Sequence, residues 1–289
     1  MTDNTSAISE HRRQQRYASI PAVRNKIKKH TAPKLIAGKS SPFLMIIGPI
    51  ILFLIWGFSS YTGILPENAL TSPWGAINSA YHMLMDGTLY PQFLASAQRA
   101  YSGLGLGIII GLTLALLAGL TRTGDILIDG IVQIKRAIPT LALIPLAILW
   151  LGIGEALKIV LITFSVIIPV YINTHSALKN IDIRYVELAR TVGLSRLQFI
   201  RRVALPGALP GFFVGLRFAV TSCWAVLVVL EQINTTSGIG YLMNRARDYG
   251  QTDIIVVGLV VYMVLGLFSD GLVRFIQKRA MRYSKSIGS

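Results

Sequence analysis

Long apolar stretches alternate with short polar ones along most of this chain. A bilayer core of roughly 30 Å takes about 20 helical residues at 1.5 Å each. Six segments meet or approach that length: 43–61, 94–120, 137–153, 157–178, 207–231 and 254–276. They predict an all-α polytopic membrane protein, with six transmembrane helices forming one domain over residues 43–276. A polar segment, 1–42, is expected to be a flexible tail, and 277–289 a second basic tail. The first apolar run, opening at Phe43, comes too late for a cleavable signal peptide. Between the first two spans, Pro66, Pro73 and Pro91 punctuate a connection in which 74–85 has the pattern of an amphipathic helix.

Composition sharpens this picture. Of 289 residues 53% are apolar and 14% charged, where a soluble domain carries roughly 25% charge. A soluble globule is excluded. Basic residues number 28 against 13 acidic ones, and 23 of the 28 fall in 1–42, 121–136, 179–206 and 274–289. The positive-inside rule then places those segments, and both termini, in the cytoplasm. The single Cys223 excludes an internal disulfide, and His11, His30, His82 and His175 lack ligand spacing, so no metal site is expected. No nucleophile elbow or carboxylate pair marks a catalytic residue. Gly38-Lys39-Ser40 resembles the end of a phosphate-binding loop, but Pro33 stands where its first glycine belongs.

Within the spans, helices in lipid associate through small residues that let backbones approach. The second span has Gly103, Gly107, Gly111, Ala115 and Gly119 at every fourth position, and the fifth has Gly207, Gly211, Gly215, Ala219 and Cys223. Four residues turn a helix about 400°, so each stripe drifts about 40° per step. Such stripes predict packing by a crossing contact, or by two neighbours in succession. Pro139 and Pro145 interrupt the third span, with Thr140 among its aliphatics, which marks it as a candidate pathway lining. Arg217 sits near half depth in the fifth span, where a charge normally faces protein or water. It is expected to be the one buried charge, in a structural contact ahead of a substrate contact, with Glu231 and Asp270 nearer the two surfaces.

The stretch 179–206 is different. Ile183, Val186, Ala189 and Val192 recur at helical spacing, Gly193 supplies a helix stop, and Ser195 with Gln198 fits a capping box opening a second helix. Two short helices around a glycine turn form a rigid handle between two spans.

The residues Glu187-Leu188-Ala189, then Gly193, then Val203-Ala204-Leu205-Pro206 after a nine-residue gap resemble the EAA loop of ABC-importer permeases. Leu188 and Val203 replace an alanine and an isoleucine of that pattern. The flanking text, Arg136-Ala137-Ile138-Pro139, Trp150 through Glu155, and Leu205 through Pro210, is similar to the branch handling taurine, aliphatic sulfonates, nitrate or bicarbonate. The resemblance implies a type I importer permease in a bacterial inner membrane. Two permease copies would form the pathway, and a periplasmic or lipid-anchored binding protein would deliver the solute. A dimer of cytoplasmic ATPases would bind ATP and Mg; the permease itself would hold no cofactor. It implies that Glu187, Leu188, Ala189, Gly193, Val203, Leu205 and Pro206 belong to the element docking on the ATPase. Nitrate, bicarbonate or a pyrimidine precursor are alternatives to an organosulfonate cargo. Two rivals are weaker. A DNA-reading helix pair would not be tethered by spans on both sides, so no nucleic-acid partner is expected. An ion-coupled carrier needs paired charges in the membrane, and the sequence shows no obvious carboxylate for Arg217.

Overall fold

The computed structural model describes residues 42–66, 69–233 and 235–281. The basic tail before residue 42, its Gly38-Lys39-Ser40, and the chain after 281 lie outside the described residues. Two compact units are distinguished, Met1–Phe53 and Leu54–Ser289. The first contributes to the described residues the opening turns of α1 (Pro42–Tyr61), whose apolar side chains from Ile46 to Leu52 are exposed.

The second unit is helical throughout its described elements. After α1 come α2 (Pro73–Met85), α3 (Leu89–Leu120), α4 (Arg122–Ala137), α5 (Thr140–Leu151) and α6 (Glu155–Lys179). They are followed by α7 (Ile183–Thr191), α8 (Arg196–Glu231), α9 (Ile239–Asp248) and α10 (Thr252–Ala280). Four of these, α3, α6, α8 and α10, are long and apolar enough to cross a membrane. The expected third span is not one helix. Pro139 disfavours helical geometry in the residue before it, Ile138 is extended (φ −95°, ψ 117°), and α4 meets α5 at 90°. Four of the six expected spans are thus long helices; the third, 137–153, is the short α5 set off from α4 by the sharp bend, and the first is the shorter apolar stretch Ile46–Tyr61.

α6 is the centre of the unit. Leu161, Ile162, Val166, Val170 and Tyr171 on it are almost completely buried, because α3 and α8 press on it from two sides. A Cβ built on Gly103 would lie 2.6 Å from Ile162, and one on Gly107 2.5 Å from Val166. One on Gly111 would meet Val170 at 3.1 Å, and one on Gly119 Leu178 at 2.6 Å. The partner positions step by four as the glycines do. Of the two expectations for α3, a change of neighbour is not what is found: the stripe serves α6 throughout. Gly211 and Gly215 bring α8 against Asn173, Ala177 and Pro169 of α6, whereas Gly207 meets Ile181 at ordinary contact distance.

α10 packs against α8 through Tyr262 and Leu265 in the main apolar core, with Trp224 from α8. The short α9 closes on it at Gly258, which touches Met243. Ser72 caps α2 by accepting the Gly75 N–H at 3.1 Å, and Ser79 donates to Asp253 at the start of α10.

Candidate functional site

Three places on the second unit carry polar chemistry. The first is the connection between α6 and α8. Asp182 accepts the Arg184 N–H at 2.9 Å and so starts α7. The helix ends where Gly193 adopts φ +72°, a conformation costing other residues about 1–2 kcal/mol. That turn lets the Leu194 N–H reach the Ala189 carbonyl at 2.9 Å and the Gly193 N–H reach Arg190 at 3.0 Å, a complete Schellman stop. Ser195 and Gln198 then cap each other reciprocally, at 2.9 and 3.4 Å. The helix they open is not a separate short one, correcting the expectation. It runs on through a wide turn at Ile200–Ala204 into α8. That wider turn lets the chain pass Pro206, which has no N–H to give its helix. The expected apolar stripe is also only partly buried: Ala189 is enclosed and Val186 half-buried, while Ile183 and Val192 are exposed. Glu187, Leu188, Leu205 and Pro206 are exposed and Val203 half-buried. Arg196 donates to the carbonyl of Leu120 at 3.0 Å, tying this elbow to the end of α3. Large apolar side chains on a short rigid element at the end of a bundle are the profile of a docking surface.

The second place is an open groove of about 560 Å³ bounded by α4, α5, α6 and α8. Pro139 and Thr140 line it; the other two expected pathway residues, Pro145 and Arg217, do not. Its polar groups are Lys135, Arg136, Thr140, Ser165, Asn173 and Ser222, interleaved with aliphatic side chains and Phe218. Lys135 Nζ donates to Thr140 Oγ1 at 3.0 Å and to the Phe164 carbonyl at 2.9 Å, so the ammonium is held in place. Arg217 instead pairs with Asp270 at 2.9 Å, and Asp270 also takes Arg274 at 2.5 Å. Its side chain is 46% exposed. Two expectations are corrected here: Arg217 has a carboxylate partner, 53 residues away in sequence, and it is not the buried charge.

The buried charges form the third place, at the opposite end of the bundle from the elbow. Glu231, fully enclosed at the end of α8, accepts from Arg99 at 2.7 Å, Tyr262 at 2.8 Å and the Gly240 N–H at 3.0 Å. Ser96 donates to it within 2.8 Å. Arg99 also grips Glu155 with two bonds, 2.6 and 2.8 Å, and Ser237 through its carbonyl and hydroxyl, both at 2.8 Å. Lys158 binds Glu155 from the other side at 2.8 Å. Gly238, at φ +112°, lets the chain pass over this cluster, since a Cβ there would fall 2.5 Å from the Glu231 carboxylate. One polar network therefore joins α3, α6, α8, α9 and α10. Glu231, expected near a surface, lies inside because the carboxylate has a cation and three further donors there, and burial without them would be prohibitive. The signal was available: Arg99 and Lys158 are basic residues outside every cytoplasmic segment, and charges inside apolar helices seek one another.

The 179 residues from 104 to 282, which hold most of these features, match the model of the family described as "Binding-protein-dependent transport system inner membrane component". The chain belongs to that family. The permease is 40% identical to the putative aliphatic sulfonates transport permease protein SsuC of Escherichia coli K12, over 82% of this chain and 90% of that one. It is 32% identical to the Bacillus subtilis 168 protein of the same description, over 82% and 86%. To the taurine transport system permease protein TauC of E. coli K12 it is 32% identical, over 68% and 71%. Its fold is similar to that of a chain in the inward-facing MetNI methionine ABC transporter, with TM-score 0.54, 23% identity, and coverage of 70% of this chain and 98% of that one. The permease is thus a multi-pass inner-membrane component of an ABC importer with the MetNI-type helical fold.

Proposed function

We propose that this permease carries a small organosulfonate, such as taurine or an alkanesulfonate, across the membrane, driven by ATP hydrolysed in a separate cytoplasmic subunit. The observation that carries the substrate reading is the 40% identity to an aliphatic-sulfonate permease along nearly the full length of both chains. The groove supports it: two cations and four neutral polar side chains line a concavity without an acidic residue among them, an electrostatic setting for an anion.

The elbow supports the coupling. Its Schellman stop and capping box make α7 and the start of α8 a stiff unit, and the bond from Arg196 to Leu120 extends that unit to α3. A force applied to Glu187, Leu188 and the neighbouring exposed apolar side chains reaches α6 and α8 directly. The excess of basic residues in 121–136, 179–206 and the two terminal segments supports a cytoplasmic elbow and cytoplasmic termini, where an ATPase dimer holding ATP and Mg would meet the elbow. A second copy of the permease would complete the pathway, and a periplasmic or lipid-anchored binding protein would deliver the solute.

The test is uptake into proteoliposomes containing the permease with its co-expressed ATPase and binding protein. Labelled taurine or alkanesulfonate should accumulate only with ATP, and should continue after an uncoupler is added. Uptake that follows an ion gradient without ATP would overturn the reading.

A further inference from the structure

We infer that the Lys135–Arg136 end of the groove is the site that holds the sulfonate headgroup while the solute crosses the permease; this rests on the organosulfonate reading and assigns it to side chains. The geometry begins with Pro139. By ending α4 and turning the chain through 90°, it brings the last turn of α4, with Lys135 and Arg136, beside the first turn of α5. Both residues thereby join Ser165 and Asn173 of α6 and Ser222 of α8 in the lining of one concavity.

The donor inventory fits a sulfonate. This group has three oxygens of low basicity and remains an anion at every physiological pH, so it needs converging N–H and O–H donors and offers no proton. Lys135 has three N–H donors, of which Thr140 and Phe164 take two at 3.0 and 2.9 Å. One remains, on an ammonium whose position is already fixed. Arg136 has five donors, and among the described residues no ion pair engages it. The remainder of the lining, including Ile138, Leu141, Ile168, Ile172 and Phe218, suits the alkyl part. Groove and alkanesulfonate are amphiphilic in the same sense.

The site is also built for release. The groove is open, and Arg136 is exposed rather than enclosed. An anion there keeps part of its hydration and is held by one fixed and one mobile cation, without the full desolvation that makes a tight site. Transit requires binding that is favourable enough to enter and weak enough to leave.

The experiment uses the assembled complex in proteoliposomes with Arg136→Gln and, separately, Lys135→Gln. The readouts are initial taurine uptake, ATP hydrolysis stimulated by the binding protein, and equilibrium binding of labelled hexanesulfonate to the purified permease–ATPase complex. Hexanesulfonamide serves as the uncharged competitor. Wild-type protein should bind hexanesulfonate saturably and ignore the sulfonamide. Each substitution should lower uptake and sulfonate binding by about tenfold, the order expected for one charge-assisted hydrogen bond, with stimulated ATP hydrolysis retained. Lys135 also ties α4 to α6, so its loss can disturb packing; Arg136 makes no such tie, and its variant decides. Wild-type sulfonate uptake that is indifferent to Arg136→Gln overturns the site and leaves the organosulfonate reading standing. A wild-type complex that imports another solute with ATP and ignores sulfonates overturns both.

Discussion

Replacing Arg99 by Met should destabilise the permease more than replacing Glu155 by Gln, because Arg99 joins both carboxylates and only Glu231 is fully enclosed. In the native structure Glu231 has no exposure and one cation, Arg99, at 2.7 Å. Lys158 is committed to Glu155 at 2.8 Å. Arg99→Met leaves Glu231 with neutral donors from Ser96, Tyr262 and Gly240 but no counter-charge. Breaking a buried pair from one side costs about 3–5 kcal/mol. Glu155 has a side chain 57% exposed, so a Gln there keeps an acceptor and nearby water for Arg99 and for Lys158, whose side chain is 4% exposed; its cost falls between the about 1 kcal/mol of an exposed pair and the about 3–5 kcal/mol of a buried one. The lone Cys223, buried on α8 and bonded to the carbonyl of Ala100, the residue after Arg99, at 3.4 Å, provides the assay. A thiol-reactive fluorophore reports its exposure during heating in detergent. At about 2–4 °C per kcal/mol for a unit of this size, Arg99→Met should lower the midpoint by roughly 6–20 °C and Glu155→Gln by less. Adding Glu231→Gln to Arg99→Met should recover part of the loss, since the stranded charge is removed with it. Equal midpoints for Arg99→Met and wild type, or strict additivity of Arg99→Met and Glu231→Gln, would refute the argument that this pair is buried and coupled.

Other outcomes follow from the same geometry. Gly107→Val drives a side chain into Val166 at 2.5 Å and should cost about 1–3 kcal/mol. Gly105→Ala, two residues away with nothing within 4 Å, should be neutral or stabilising by about 0.5–1 kcal/mol; the thermal midpoint separates them. Gly193→Pro cannot reach φ +72° and loses the N–H that bonds Arg190. Together with Glu187→Lys, it should reduce co-purification of the ATPase and uptake while membrane insertion persists; normal ATP-dependent transport by both would count against the elbow as the coupling element. Arg217→Gln should cost less than Asp270→Asn in the same thermal assay. The first leaves Asp270 paired with Arg274, whereas the second leaves two cations facing each other.

Much of this was legible in one sequence because lipid imposes simple rules. Apolar length sets the long helices, glycine at every fourth residue marks where backbones approach, and Asp182, Gly193, Ser195 and Gln198 write the elbow's start, stop and restart locally. Each of these signals acts within a few residues of itself, so no tertiary information is needed to read it. What the sequence left open depends on which distant residues meet. Arg217 looked unpartnered because Asp270 lies 53 positions on. Glu231 looked superficial because the cation and hydroxyls that make its burial affordable come from α3 and α10. The stripe on α3 left open a crossing contact or two neighbours, and only the packed fold shows that α6 meets it along its whole length. Pro139 promised a kink, but only the packed fold decided that the bend is a right angle bringing Lys135 and Arg136 to a groove shared with α6 and α8. Local chemistry fixes where helices begin, end and can touch; long-range pairing of charge and volume decides which of those possibilities the protein uses.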